Sequence, residues 1–175
     1  MISDTKFSYL FKVITLALLY FIAGKISFAI SSENSIVTIV IFTAEGFALA
    51  GILLFGRKLW LGIFIGQFLL TYNSLPLYAG LSISLINSLE AILAVTLFKH
   101  FKLNIELLST KDVFGLIGLI VLILQPLSAL LGNIVLLNSS LIVASEFNES
   151  VFSWWFGNIM GQILITPTLI LLYTR

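Results

Sequence analysis

The chain consists of long apolar stretches separated by short polar ones, and this alternation predicts its secondary structure. A helix needs about 20 apolar residues to cross a bilayer. The pattern predicts six such helices: Tyr9–Ile30, Ile36–Phe55, Leu59–Tyr72, Leu75–Phe98, Val113–Leu137 and Val151–Tyr173. Because the stretches are continuously apolar rather than alternating, they favour an all-α, polytopic transmembrane helical bundle over a β-barrel.

Composition favours one integral-membrane domain over residues 1–175. Of the 175 residues, 59% are hydrophobic and 10% are charged, against about 25% charged in a typical soluble domain. A soluble chain of this length could not hide so much apolar surface, so the expected partner is the lipid bilayer. The net charge of +1 gives no reason to expect a nucleic-acid partner.

The residue inventory excludes several kinds of chemistry. The chain has no cysteine, and His100 is its single histidine, which excludes disulfides, thiol catalysis and multi-histidine metal or haem sites. It contains no nucleophile with a histidine partner, and its glycine-containing segments lie within apolar stretches rather than in phosphate-binding loops. We therefore expect no enzyme activity, no cofactor and no metal.

Basic residues predict the orientation. Eight of the nine Lys and Arg residues lie before or in the first turn of the first predicted helix, in the second or fourth connection, or after the sixth helix. The positive-inside rule then places both termini in the cytoplasm, which requires an even number of spans. Aromatic residues at the helix ends, with Trp60 at the inner side and Trp154 and Trp155 at the outer side, are predicted to be interface anchors.

Three ionisable residues fall inside predicted spans: Lys25, Glu45 and Glu90. Each costs a few kcal/mol at the bilayer centre, so each is predicted to face the bundle interior. The connection over residues 31–35 is tight, which makes the first two helices antiparallel neighbours. At about 1.5 Å of rise per residue, Lys25 and Glu45 differ by about 6 Å in depth. This predicts a Lys25–Glu45 ion pair, either purely structural or part of a ligand or signalling site.

Other polar residues recur at helical spacing. Asn87 lies one turn from Glu90 on the fourth predicted helix, and Asn158 lies one turn from Gln162 on the sixth. They either form hydrogen bonds between helices or line a buried ligand site. The predicted ligand or signalling set is therefore Lys25, Glu45, Asn87, Glu90, Asn158 and Gln162.

Small residues predict where helices approach closely. Gly157 and Gly161 form a small-xxx-small pair, which fits a contact inside the bundle or in a homodimer. The second predicted helix is rich in alanine and glycine, which is typical of a central, closely packed helix.

Several segments resemble MASE1, a bacterial membrane-associated sensor domain. Residues 20–27 (YFIAGKIS) and 45–56 (EGFALAGILLFG) are similar to its first two helices. Residues 87–91 (NSLEA) are similar to its Asn-x-Leu-Glu-Ala segment, and residues 154–161 (WWFGNIMG) to its Trp-Trp-x-Gly-Asp-x-x-Gly segment. Residues 164–167 (LITP) continue the last similarity, so the order matches over essentially the whole chain.

The resemblance implies a sensory input module of bacterial signal transduction in the inner membrane, acting on a cytoplasmic output protein or domain. Family members are typically fused to histidine kinases, diguanylate cyclases or phosphodiesterases. Two departures alter the polar chemistry: residues 42–44 (FTA) replace the usual Trp-Pro-Pro, and Asn158 replaces a frequent Asp. The family domain usually has about eight helices, so we expect a fragment or a stand-alone member.

Two other functions fit the sequence. Six-span chains of this size also serve as substrate-binding subunits of vitamin-type importers, and Lys25, Glu45 and Asn158 could form such a pocket. A third interpretation is a purely structural partner of another membrane protein. A sensor changes a downstream signalling activity without moving solute, whereas an importer subunit binds a solute tightly and co-purifies with an energising partner.

Overall fold

A computed structural model describes residues 2–30 and 41–175, with side chains from residue 7 onward, and this part of the chain is helical. Its α-helices are α1 (Ile2–Ile30), α2 (Thr43–Phe55), α3 (Trp60–Thr71), α4 (Leu77–His100), α5 (Thr110–Leu119), α6 (Gln125–Asn138) and α7 (Phe147–Thr174). Short 3-10 turns precede α3 and α7, and a π-helical turn, Ile120–Leu124, joins α5 to α6. The all-α prediction is confirmed for the described residues.

Four helical segments are long and apolar enough to cross a membrane: Phe7–Ile30, Leu77–His100, Thr110–Asn138 and Ala144–Thr174. They match the first, fourth, fifth and sixth predicted helices. In contrast, α2 has 13 residues and α3 has 12. At about 1.5 Å per residue, each covers less than 20 Å of a hydrocarbon core about 30 Å thick. The six-span count and the orientation therefore stay predictions.

The second predicted helix, Ile36–Phe55, is wrong at Ile41 and Phe42, because α2 begins at Thr43. Residues 31–40 lie outside the described residues, but Ile41 and Phe42 are described and are not helical. The Phe42 backbone N–H donates to the Gly157 carbonyl of α7 at 3.1 Å instead of joining a helix. Irregular backbone is tolerated at membrane depth where protein surrounds it, and α7 provides these surroundings.

Close approach between helices places α2 at the centre of the bundle, where it packs against α1, α4 and α7. A Cβ atom at Gly161 would collide with the Phe42 backbone, and one at Gly46 would collide with Ile165. The Gly157–Gly161 face is therefore used inside the bundle, against the start of α2. Without a hydrophobic drive between helices in lipid, such close packing is a main source of their association.

The π-helical turn follows from Pro126, which has no N–H and cannot continue a regular helix without crowding the preceding turn. The Gln125 N–H bonds to the Ile120 carbonyl rather than to that of Val121. This leaves the Val121 carbonyl for the Trp155 indole N–H, which donates to it at 3.1 Å. The widened turn fixes Gln125 in the bundle interior, where it is fully buried.

Gly161→Ala should destabilise the protein by about 1–3 kcal/mol, because the new methyl group forces α2 and α7 apart. Gly118→Ala is the matched control, since no atom lies within 4 Å of a Cβ placed there. The control should be neutral or stabilising by up to about 1 kcal/mol. Free energies of unfolding in detergent micelles measure both effects, and equal effects would show that the α2–α7 contact is not tight.

Trp155→Phe should cost about 1 kcal/mol more than Trp154→Phe, because only the first substitution removes a hydrogen bond. The Trp154 indole N–H has no hydrogen-bond partner among the described residues. The same unfolding measurement in micelles compares the two variants, which lose similar ring volume. An equal loss would mean that Trp155 does not compensate the freed carbonyl of the π-helical turn.

Candidate functional site

Four buried polar side chains from four helices meet in the interior of the bundle. They are Tyr20 of α1, Glu45 of α2, Gln67 of α3 and Asn87 of α4, none more than 5% exposed. The Tyr20 hydroxyl lies 2.5 Å from Glu45 Oε1 and 2.7 Å from Gln67 Oε1. Asn87 Nδ2 donates to Glu45 Oε1 at 2.9 Å and to the Tyr20 oxygen at 3.1 Å. We call these four residues the tyrosine cluster.

The local sequence explains why these side chains converge. Glu45 lies in the first turn of α2, where the unpaired N–H groups of a helix start favour an acceptor. Gly66 precedes Gln67 and lets α3 approach α1, since a Cβ atom there would lie 2.8 Å from the Tyr20 Cβ. The start of α2 is tied to α1 because the Thr43 N–H donates to Ser27 Oγ at 3.1 Å.

With Gln67 Oε1 facing Tyr20, the contacts of the tyrosine cluster use one more hydrogen than Tyr20 and Asn87 supply. Tyr20 has one phenolic hydrogen but faces two acceptor oxygens, those of Glu45 and Gln67. Reversing the Gln67 amide would place two donors, its nitrogen and Asn87 Nδ2, 3.3 Å apart. A hydrogen on the Glu45 carboxyl group satisfies both contacts, because Glu45 then donates to Tyr20 and Tyr20 to Gln67. The geometry therefore favours a neutral carboxylic acid at Glu45.

A second group of buried polar residues surrounds Glu90, which lies one turn after Asn87 on α4. Gln125 Nε2 of α6 donates to Glu90 Oε1 at 2.7 Å, and Gln162 Nε2 of α7 donates to the same oxygen at 3.0 Å. The remaining oxygens of these three side chains are buried and have no hydrogen-bond partner among the described residues. We call these residues the glutamate cluster. It holds four acceptor oxygens, and both of its donor nitrogens bond to one of them.

The two clusters form one polar layer across the bundle. Asn87 and Glu90 lie one turn apart on α4, and the Ser128 hydroxyl of α6 lies 3.4 Å from Asn87 Oδ1. Through these side chains the polar layer joins α1, α2, α3, α4, α6 and α7. An unpaired buried acceptor costs about 1–3 kcal/mol, so the layer can gain from a donor or from a rearrangement of its pairs.

The predicted Lys25–Glu45 ion pair is wrong. Lys25 is exposed, with its ammonium group 5.7 Å from the centroid of the Phe21 ring. Five residues separate Tyr20 from Lys25, which at 3.6 residues per turn places them on different faces of α1. The Tyr20 face is turned toward α2, so the tyrosine hydroxyl takes the place predicted for the lysine.

The other predicted site residues are buried, and most of them meet. Glu45 and Asn87 belong to the tyrosine cluster, and Glu90 and Gln162 to the glutamate cluster. Asn158 is 4% exposed, and its Nδ2 has no hydrogen-bond partner among the described residues. Whether these residues bind a ligand or carry a signal stays a prediction.

The predicted interface anchors differ in exposure. Trp60 is 37% exposed and suits an anchor, whereas Trp154 and Trp155 are half-buried. Trp154 packs over Gly132, and the indole N–H of Trp155 is held by the α5–α6 turn. For these two residues, packing between helices accompanies any anchoring at the headgroups, which stays a prediction.

Two members of the tyrosine cluster, Tyr20 and Gln67, were not predicted. Gln67 had a detectable signal, because it is an amide inside the apolar third stretch. Tyr20 had a weaker one: it lies far from either end of the first predicted helix, where an aromatic belt would not place it.

Comparisons with known proteins give one family match. The family model MASE1 matches residues 9–175, nearly the whole chain. The matched range includes every residue of both clusters. Neither the curated proteins nor the solved structures give a match to this chain.

Glu45→Gln should remove an infrared band of a protonated carboxylic acid, because the geometry of the tyrosine cluster favours a neutral Glu45. Difference infrared spectra of the wild type and the variant, recorded near neutral pH in micelles, measure this. Glu149→Gln is the matched control, since Glu149 is exposed at the start of α7, and it should leave that band intact. Loss of an ionised carboxylate band from Glu45→Gln instead would contradict the assignment.

Proposed function

This chain belongs to the MASE1 family of membrane-associated sensor domains, and we propose that it is the membrane-embedded input module of bacterial signal transduction. In this proposal it lies in the inner membrane and has no catalytic activity of its own. It acts on a cytoplasmic output protein or domain. The family match and the four apolar helices support a membrane sensory module.

The observation that carries the proposal is the unequal pairing within the polar layer. Buried polar groups in native proteins are nearly always paired. Here two amides donate to one oxygen of Glu90, while three acceptor oxygens in the same cluster have no donor among the described residues. A switch needs two arrangements and a stimulus that interacts differently with them. A water, a proton or a small ligand rich in donors would favour a different pairing from the one described.

The last helix provides a route from the polar layer to an output. Gln162 belongs to the glutamate cluster, and one turn later the Thr166 hydroxyl donates to the Gly46 carbonyl of α2 at 3.2 Å. The helix ends beside α2, where the rings of Tyr173 and Phe55 lie 5.2 Å apart. In this proposal, a change in pairing at Gln162 displaces α7 relative to α2 and reaches the end of α7.

The importer interpretation has less support. The pocket suggested for it combines Lys25, Glu45 and Asn158, but Lys25 is exposed while Glu45 is 1% exposed and bonded to Tyr20 and Asn87. No observation in the described residues favours it over the sensor, so it enters only as an outcome of the test below.

A fusion to a diguanylate cyclase domain after Arg175 tests the proposed function, with cyclic di-GMP in cells as the readout. Gln162→Leu should change the output by about 2- to 30-fold, the range typical of substitutions that alter coupling between sites. Thr168→Val is the matched control, because Thr168 lies on the exposed face of the same helix, and it should leave the output unchanged.

Two results would contradict the sensor proposal. One is an output that responds equally to both substitutions or to neither. The other is accumulation of a labelled solute in vesicles that contain the protein and an energising partner, since a sensor moves no solute.

A further inference from the structure

An open cleft of 610 Å³ lies at the basic end of the bundle, away from the polar layer. It is formed by α1, by the turn between α2 and α3, and by the end of α4. Four of its lining residues are basic: Lys12, Arg57, Lys58 and Lys99. None of the described lining residues is acidic.

The cleft has fixed walls. The Tyr9 hydroxyl donates to the Lys58 carbonyl at 2.9 Å and ties the α2–α3 turn to α1. The ammonium group of Lys12 lies 5.0 Å from the centroid of the Phe55 ring at the end of α2. Gly56 makes the turn with φ of +96°, a conformation that favours glycine, and the space beside it is open.

Topology alone does not explain this grouping. The positive-inside rule accounts for basic residues on one side of a membrane, but not for four of them lining one cleft. Lys99 lies in the last turn of α4, whereas Lys102, which follows α4, and Lys111, at the start of α5, do not line the cleft. Like charges held in one place repel, and an anion between them removes that repulsion.

We propose that this cleft binds the phosphate-containing headgroup of an anionic phospholipid. Basic pockets between membrane helices are suited to such headgroups. The cleft opens at the ends of apolar helices, and Phe55 in its lining is 40% exposed, which offers apolar surface to an acyl chain. A phospholipid can therefore pair with the basic residues through its headgroup and contact the apolar surface through its acyl chain. A soluble phosphate can pair only with the basic residues. This inference is independent of the proposed sensory function.

Native mass spectrometry of the purified chain in detergent tests the proposal, with phosphatidylglycerol and phosphatidylcholine of matched acyl chains as probes. Phosphatidylglycerol should bind more tightly. Arg57→Gln/Lys58→Gln should weaken its binding by roughly 30-fold, from the typical contribution of about 1 kcal/mol for each basic residue near an anionic headgroup. Lys102→Gln/Lys111→Gln removes the same charge from the same end of the bundle and should weaken binding by less than about twofold.

Ser8→Trp is a second variant, which fills the cleft and keeps every charge. It should also weaken phosphatidylglycerol binding, and unchanged melting temperatures in detergent would show that each variant is folded. If a variant unfolds, the other variant decides the outcome. Equal loss in the Lys102/Lys111 control would show a diffuse charge effect and overturn the proposal. Competition by soluble glycerol phosphate at the same concentration as the lipid would assign the cleft to a soluble anion and overturn it too.

Discussion

The carboxyl groups of Glu45 and Glu90 lie inside an apolar bundle, and the rest of the structure is arranged around pairing them. A polar group without a partner costs several kcal/mol in hydrocarbon, because no water is present to replace the missing bond. Both carboxyl groups therefore bring other helices toward them: Tyr20 and Asn87 bond to Glu45, and two glutamines bond to Glu90. The polar layer determines which face of each helix turns inward, and the apolar and small residues pack above and below it.

The irregular segments of the chain serve the same requirement. Ile41 and Phe42, directly before α2, are not helical, and the Phe42 N–H bonds to α7, which brings Glu45 to the first turn of α2 and beside Tyr20. The π-helical turn before Pro126 brings Gln125 into the bundle interior, and Trp155 pairs with the carbonyl that this turn leaves free. Each irregularity is compensated by a residue on α7. Helix α7 thus supplies the hydrogen-bond partner at both places where regular helix geometry is interrupted.

Much of the fold follows from the sequence, because apolar length and charge placement act locally. The stretches that became α1, α4 and α7 are long enough to be recognised from their composition, and Glu45, Asn87, Glu90 and Gln162 are conspicuous because polar residues are costly in a membrane. Their partners are not local. The rotation of α1 about its axis determines whether Tyr20 or Lys25 faces Glu45, and sequence spacing does not give that rotation. The start of α2 depends on Gly157, which is distant in sequence, so the apolar pattern predicted a helix that extends too far.

We expect the polar layer to act as one unit rather than as two separate clusters. A double-mutant cycle between Glu45 and Gln162, which lie in different clusters on α2 and α7, tests it most directly. The free energies of unfolding of Glu45→Gln, of Gln162→Leu and of the double variant would be measured in micelles. If the layer is one unit, the two effects deviate from additivity by about 0.5–3 kcal/mol. Additivity within about 0.3 kcal/mol would contradict the account, because it would make the clusters independent structural contacts.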